Sequence, residues 1–407
     1  MKKYYFSILI LIMFYQVANS LENTSYRIQT LGSDFQGIID DEYTDILANP
    51  ARLSTLDKNH VYVKSTTPLS IGYLTNSFGC VAEGKGIFTK NLYYDWLQET
   101  WNWQIDALLM KSFGIKKIPF GVGIQNSYTG NISKYTPSQS ESFNRESISK
   151  DFSANLRAGF YLQKENKIKE FIFSSDISIP NAKITKEIYQ DYYYSSDRKI
   201  FEKTMNRVGS IGNGIEYHNR NKKNNNQTGF IVGYTYKPIK LKTDKYLILG
   251  TNVIYSSTTV SEGFDSSLYT GVGKSISFLD KKLFFAFAGR LNADYKFVET
   301  ENANIGNEKI ERTQNGVIGI SAPLGSEYLI SNIITLRFGI TYNINFTKDR
   351  ITSFESAYVH DNGSFTQSTN YRFGFGLKPL DDLTADFTTS GDILDVSSWK
   401  AQAKYSF

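Results

Sequence analysis

The chain has 407 residues and a formal net charge of +5, with 28 Tyr, 28 Phe, only 8 Pro and one cysteine. This near-neutral balance gives no argument for a nucleic-acid partner, and a lone Cys80 excludes an internal disulfide. A mean hydropathy of −0.34 would be odd for a helical membrane protein. It suits a barrel in which every second residue is polar.

Residues 1–20, "MKKYYFSILILIMFYQVANS", have the form of a secretory signal peptide: Lys2 and Lys3, an apolar stretch from Tyr4 to Tyr15, then Ala18-Asn19-Ser20. Cleavage is expected after Ser20. It would remove two lysines and no acid, leaving a net charge of +3. Residues 21–59 lack long alternation and read as a small helical plug. Asp40 or Asp41 is placed to cap a helix, Ile46, Leu47 and Leu53 are spaced as a buried stripe, and Pro50 should end the helix after Asn49.

Residues 60–407 read as an antiparallel transmembrane β-barrel. In "FFAFAGRLNADYKFV", Phe285, Phe287, Gly289, Leu291, Ala293, Tyr295 and Phe297 share one face. The segment from Ile334 to Phe346 alternates as long. Both reach the roughly 9–11 residues a tilted membrane strand needs. Weaker copies occur at Val61–Tyr73, Trp103–Phe113, Ile118–Tyr128, Asn155–Gln163, Glu170–Ile179, Gly229–Tyr236, Tyr246–Ser256, Ser267–Phe278, Lys309–Ser321, Asn370–Leu377 and Leu383–Thr388. The total is about 14 strands, an even number in the bacterial range. Gly209–Tyr217 leaves 16 possible.

Polar stretches at Thr129–Asp151, Pro180–Asn226, Glu299–Glu308 and Thr347–Gln367 read as long outer loops, and "NRNKKNNNQ" (Asn219–Gln227) as an exposed loop. Short connectors are read at "GIKKIP", "KENKIKE", "KPIKLKTDK", "FLDKKL", "APLGSEYLIS" and "KPLDDL". If Phe407 lies at the periplasmic rim, all the short connectors fall on its side, as in outer-membrane barrels.

The C-terminal segment alternates to its end, with Trp399, Ala401, Ala403, Tyr405 and Phe407 on one face. An open edge in lipid would leave backbone groups unpaired, so this strand has to close against the first. Trp399, Tyr405 and Phe407 form the signal expected to engage the barrel-assembly machinery. Inward positions include Arg157, Asp176, Arg290, Asp294, Arg337 and Arg372, with Asp106 and Asp386. They read either as a polar path or as charges that pair with one another and with a plug.

Asn49-Pro50-Ala51, within "DDEYTDILANPARLS" and ahead of a barrel, resembles the N-terminal plug of the long-chain fatty-acid transporter family. That family includes aromatic-hydrocarbon channels and relatives associated with type IX secretion. The resemblance implies a 14-stranded barrel blocked by its plug, with hydrophobic ligands released sideways through a kinked third strand. The matching strand is Ile118–Tyr128, where Pro119, Gly121 and Gly123 either weaken pairing or ease inner packing. Arg52 stands where the family often has a small residue. Leu92–Trp103, rich in aromatics, reads as a capture surface or an interface girdle.

With only His60, His218 and His360, and no metal-ligand spacing, the chain gives no catalytic constellation and implies no cofactor. The expected role is uptake or binding of hydrophobic small molecules in the bacterial outer membrane, with outer-membrane lipid around the barrel. The alternatives are a partner platform or a plugged general porin.

Overall fold

The structure, a computed structural model, describes residues 24–407 except 66–68, 93–95, 116–117, 138–141, 180–181, 191–196, 208–209, 224, 250–251, 305–306, 354–357, 392 and 396–397. The expected signal peptide lies outside the described residues. Two short α-helices come first, α1 (Tyr26–Leu31) and α2 (Glu42–Ala48), each followed by a 3-10 turn, Ser33–Phe35 and Pro50–Thr55.

The strands follow in chain order. They are β1 (His60–Ser65), β2 (Leu69–Leu74), β3 (Phe78–Leu92), β4 (Trp96–Ile115), β5 (Ile118–Pro137), β6 (Ser142–Lys164), β7 (Lys167–Ile179), β8 (Ala182–Gln190) and β9 (Asp197–Arg207). Then come β10 (Ser210–Lys223), β11 (Asn226–Leu249), β12 (Asn252–Phe278), β13 (Leu283–Asn304), β14 (Asn307–Leu329), β15 (Ile334–Ser353), β16 (Tyr358–Leu380), β17 (Leu383–Thr389) and β18 (Lys400–Ser406).

Each strand pairs antiparallel with its neighbours, and β18 pairs with β1, so the sheet closes on itself. The ring has sixteen strands. β8 and β9 are not separate staves. They continue the wall above β7 and β10, pairing with β6 and β11.

The count of about 14 is therefore corrected to 16. Val61–Tyr73 is two strands, β1 and β2, paired with each other. β3 escaped notice because the middle of its outward face, between Phe78 and Phe88, carries only Cys80, Ala82, Gly84 and Gly86. Gly209–Tyr217 belongs to the wall as part of β10, and Tyr246–Ser256 is not a strand but the meeting of β11 with β12.

The long polar stretches are strand as well. Lys237–Lys245, read as a short connector, runs inside β11 opposite Ser257–Asp265. Thr129–Pro137 continues β5, and Glu299–Asn304 continues β13. The cause is physical. Alternation marks a strand only where one face meets lipid and the other water. Above the membrane both faces meet water, so a strand continues with no periodic signal.

Exposed apolar side chains form an outward belt that includes Leu109, Phe173, Val272, Phe287, Ile320 and Leu336. On β15 it runs from Ile334 to Phe346. At ~3.4 Å per residue and a tilt of ~40°, that stretch rises roughly 30 Å, enough to cross the hydrocarbon layer.

The turns at Glu165–Asn166, Leu279–Lys282, Ile330–Ile333 and Asp381–Asp382 share one rim with Phe407. There the Phe407 nitrogen donates to the Asn59 carbonyl at 3.0 Å, and the Asn59 nitrogen to the Phe407 carbonyl at 3.1 Å. The Phe407 ring stacks with those of Tyr73 and Tyr405.

The wall is uneven in height. β17, β18, β1 and β2 have only six or seven residues each, whereas flanking β16 has 23 and β3 has 15. At the other end of the scale, β12 has 27.

Residues 24–59 fill the bottom of the lumen. Tyr43, Ile46, Leu47, Leu53 and Leu56 pack against Tyr62, Leu74, Val81, Leu108 and Met110 of the wall. Ile28, Leu31, Phe35 and Ile39 form a second cluster with Ala286. The core of this protein thus lies between plug and wall.

Removing Phe407 should cost roughly 2 kcal/mol from its two rim hydrogen bonds, at about 1 kcal/mol each. The expected result is a lower temperature for loss of compact mobility in unboiled gels, with Phe407→Tyr close to wild type.

Candidate functional site

The site is the seat of the plug. Asp41 caps α2 by accepting from the Thr44 nitrogen at 3.0 Å. The helix stops at Ala48 because Pro50 has no N–H to continue it and disfavours a helical Asn49. Asn49 then serves three contacts. Its Oδ1 accepts from the Ala51 nitrogen at 3.1 Å, capping the next 3-10 turn. Its Nδ2 donates to the Phe160 carbonyl and to Glu170 Oε1, both at 3.1 Å. Pro50 occupies the first turn of that segment, where its fixed φ is tolerated.

The wall makes room with glycine. A Cβ at Gly121 would collide with the backbone of Pro50 and Ala51, and one at Gly159 with the Asn49 carboxamide. The Pro50 ring lies against Gly123. Ala51 completes the contact with Tyr161 and Ile168. The glycines of β5 are thus explained by a close approach of the plug. β5 is the fifth strand, not the third, and its ladders to β4 and β6 run without a register shift. Pro119 lies beside the turn, opposite Gly114. Gly121 and Gly123 are paired on both sides, with β4 and β6, whereas Pro119 is paired with β4 alone.

A cluster of buried charges locks the seat, and most of it was not legible in the sequence. Arg220 is fully buried and grips Asp45 with both terminal nitrogens, at 2.6 and 2.7 Å. It also donates to the Gly37 carbonyl at 2.9 Å and to Asp40 at 3.0 Å. Arg52 makes the reciprocal pair, from plug to wall, with Glu170 at 2.8 and 3.0 Å, its guanidinium over the Tyr161 ring. His218 faces Glu170 and Glu216, and Lys222 meets Asp40.

His218, Arg220 and Lys222 alternate along β10, so all three point inward. Reading Asn219–Gln227 as a loop hid this period of two. Its residues are the end of β10, a turn and the start of β11.

Burial opposes ionisation of Asp40, yet Arg52 and Arg220, with Lys222, hold its carboxyl well below the usual carboxylate range. Burial pushes the Asp45 carboxyl up to about 6, against the pull of Arg220 and Arg52.

Several of the inward charges noted in the sequence also meet the plug. Arg157 donates to the Leu47 carbonyl at 2.7 Å and Arg372 to the Gln29 carbonyl at 2.7 Å. Arg337 pairs with Asp386 at 2.5 Å and lies beside Glu327, which holds Arg27 at 2.6 Å. Asp176 bonds to Asn155. Arg290 lies over the Tyr269 ring, 4.8 Å from its centroid. Asp294 stands half-buried on β13 between Ser267 and Val317. Trp399 precedes β18 and donates to the Ile393 carbonyl at 2.9 Å. His60 bonds to Ser406 at the seam, and Trp101, in the aromatic stretch of β4, packs on Phe88.

No family model matches the chain, and no curated protein matches it. Among solved structures, it is similar to the toluene transporter TodX of Pseudomonas putida at 13% identity, over 96% of this chain and 99% of that one, with a TM-score of 0.43. The CymD monoaromatic hydrocarbon channel is 9% identical over 96% and 99%, with a TM-score of 0.42. The Ralstonia pickettii toluene transporter TbuX is 12% identical over 89% and 92%, with a TM-score of 0.37. At such identities and TM-scores the likeness bears on neither activity nor ligand.

Two outcomes are expected. Arg220→Met leaves Asp45 buried without its main partner, at a cost of about 3–5 kcal/mol. Trypsin should then cut the plug at Arg27 and Arg52 in the intact barrel, and adding Asp45→Leu should restore most of the resistance.

The pH dependence has a defined sign. Asp45, raised when docked, favours docking as pH falls from 7 towards its released value of about 3.9. Asp40, lowered when docked, contributes above that value and loses its contribution below it. Amide-exchange protection of residues 24–59, corrected for the intrinsic pH dependence of exchange, should therefore hold or rise from pH 7 to about 4.5 and fall at lower pH. Asp45→Asn should flatten the upper part of the profile.

Proposed function

We propose that the protein lies in the bacterial outer membrane and binds and passes hydrophobic small molecules between its lumen and the bilayer. The observation that carries this reading is the low stretch of wall from β17 to β2, set beside a plugged axis. An apolar solute moving along the axis would have to displace the ion cluster of Arg52, Arg220, Asp45 and Glu170. Stripping partners from buried charges is costly. Moving sideways over the short strands, it would enter hydrocarbon directly and gain the transfer free energy of its own apolar surface.

The outward belt supports the membrane setting. The C-terminal strand, carrying Tyr405 and with Phe407 at the rim, is the segment we assign to recognition by the assembly machinery.

A second reading, a platform for a protein partner, is favoured by the solid seat of Asn49, which is enclosed by Gly159, Phe160 and Glu170.

Proteoliposomes should take up a fluorescent fatty acid or a neutral aromatic hydrocarbon faster than empty liposomes. Tryptophan at both Ser390 and Ser398, which line the top of the low wall, should slow that uptake several-fold. Equal uptake by empty and loaded vesicles for every such ligand overturns transport and leaves the platform. Ion currents in planar bilayers that depend on deleting residues 24–59 would identify the plug as the closure of a pore.

A further inference from the structure

Lysines near the rim that carries Phe407 fall into two groups. Lys58, Lys222, Lys378 and Lys404 pair with Asp382, Asp40, Asp381 and Glu42 respectively. Lys164, Lys167, Lys169, Lys223 and Lys274 pair with no acid among the described residues. These five share one sector of the wall. They lie on β6, β7, β10 and β12, with β11 between the last two.

All five face lipid. On β6, Lys164 continues the outward face of exposed Leu156 and Phe160, and on β7, Lys167 and Lys169 continue that of exposed Phe171 and Phe173. On β10, Lys223 falls in step with exposed Ile211 and Ile215. On β12, Lys274 falls in step with exposed Leu268 and Val272 and stands opposite exposed Phe287. Lys274 lies four residues before the end of its strand, roughly 10 Å above the turn at ~3.4 Å per residue and ~40° tilt. Its flexible stem can carry the ammonium to the level of the headgroups.

The spaces between these lysines are polar. Lys169 stands opposite Asn219, Lys167 opposite Asn221 and Lys274 opposite Thr228. Lys164 and Lys167 stand directly opposite each other. Like charges so placed repel, so an anion between them is favourable. Directly above this polar row the wall is aromatic. Phe160 faces Phe171, whose ring lies 4.8 Å from that of Tyr217, and Phe230 faces Val272. The sector therefore offers cations and hydrogen-bond donors below and an apolar face above. A phospholipid with a net negative headgroup has the complementary order, phosphate below and acyl chains above. A zwitterionic headgroup brings its own ammonium among the lysines and loses that advantage.

A second copy of this chain is a poor occupant. At the same height, four of its rim acids, Asp40, Asp381, Asp382 and Glu42, are already paired. Glu165 and Asp280 remain, each in a turn beside lysines. The opposite side of the rim offers the lipid no such seat, because Ile330 and Ile333 are exposed there.

We propose that the outer face of β6, β7, β10, β11 and β12 at the Phe407 rim is a binding site for an anionic phospholipid of the periplasmic leaflet. Lys164, Lys167, Lys169, Lys223 and Lys274 hold the phosphate, and Phe160, Phe171 and Phe230 hold the chains. The inference rests on the outer-membrane reading and is independent of what the barrel passes.

The test places photo-crosslinking p-benzoylphenylalanine at Thr228, inside the sector, or at Tyr328 on β14, outside it. The full chain is reconstituted in equimolar phosphatidylglycerol and phosphatidylcholine, and lipid adducts are identified by mass. At 228 the phosphatidylglycerol adduct should exceed the phosphatidylcholine adduct by about fivefold or more, a factor that one lysine near the bilayer surface can supply. At 328 the ratio should be near one. Replacing all five lysines by glutamine should bring the ratio at 228 near one, and replacing them by arginine should preserve it. Their side chains lie on the opposite face of the wall from Glu170, His218 and Arg220, so compact mobility in unboiled gels should be kept. Inorganic phosphate at fixed ionic strength should leave the ratio unchanged, which separates a lipid site from a site for free phosphate. A ratio near one at 228 in the unsubstituted chain, equal preference at 228 and 328, loss of the preference to inorganic phosphate, or an adduct with a second copy overturns the proposal. Failure of the chain to enter any bilayer would instead overturn the outer-membrane reading on which it rests.

Discussion

The structure rests on one constraint: in hydrocarbon, every backbone N–H and C=O needs a partner within the protein. Closure between β18 and β1 meets it at the seam, and the paired amides of Asn59 and Phe407 carry it to the rim. Once the sheet is closed, the side chains divide into two populations. Outward positions meet lipid and are apolar. Inward positions enclose a lumen, and whatever fills that lumen must match their polarity.

The plug matches it in two ways. Where its backbone approaches the wall, as Pro50 and Ala51 approach Gly121, the wall has removed its side chain. Where charges face each other, as at Arg220 with Asp45 and Arg52 with Glu170, they pair at hydrogen-bond distance out of water. Such pairs add little net stability relative to an apolar core, but losing one partner is costly. They therefore specify where the plug sits more than how strongly it is held. The ion cluster also makes the axis hostile to an apolar solute, so the low wall from β17 to β2 becomes the feature on which function turns.

The legible part of the barrel was the part in lipid. Ile334–Phe346 and Phe285–Phe297 have one face in hydrocarbon and one in water, and that difference is written into the residues. Lys237–Lys245 and Thr129–Pro137 are equally regular strands, yet they lack the apolar–polar alternation of the belt. Their sequence carries no period to read. β10 was hidden for a related reason: the run of Asn and Lys around Arg220 looks like solvent-exposed loop until the opposing acids of the plug and of β7 are brought to it. The helix cap at Asp41 and the stop at Asn49-Pro50 are local and could be read directly. The pairing of Arg52 with Glu170, across 118 positions of sequence, could not.

By itself the sequence determined that long two-faced strands had to close around a short helical segment, because alternation, capping and proline chemistry act over a few neighbouring residues. Only the tertiary structure decided that sixteen strands make the ring, that Glu170, His218 and Arg220 meet the plug, and that the wall falls away between β16 and β3. Those outcomes depend on which distant backbone groups and charges find each other, and a partner in space leaves no period in the chain.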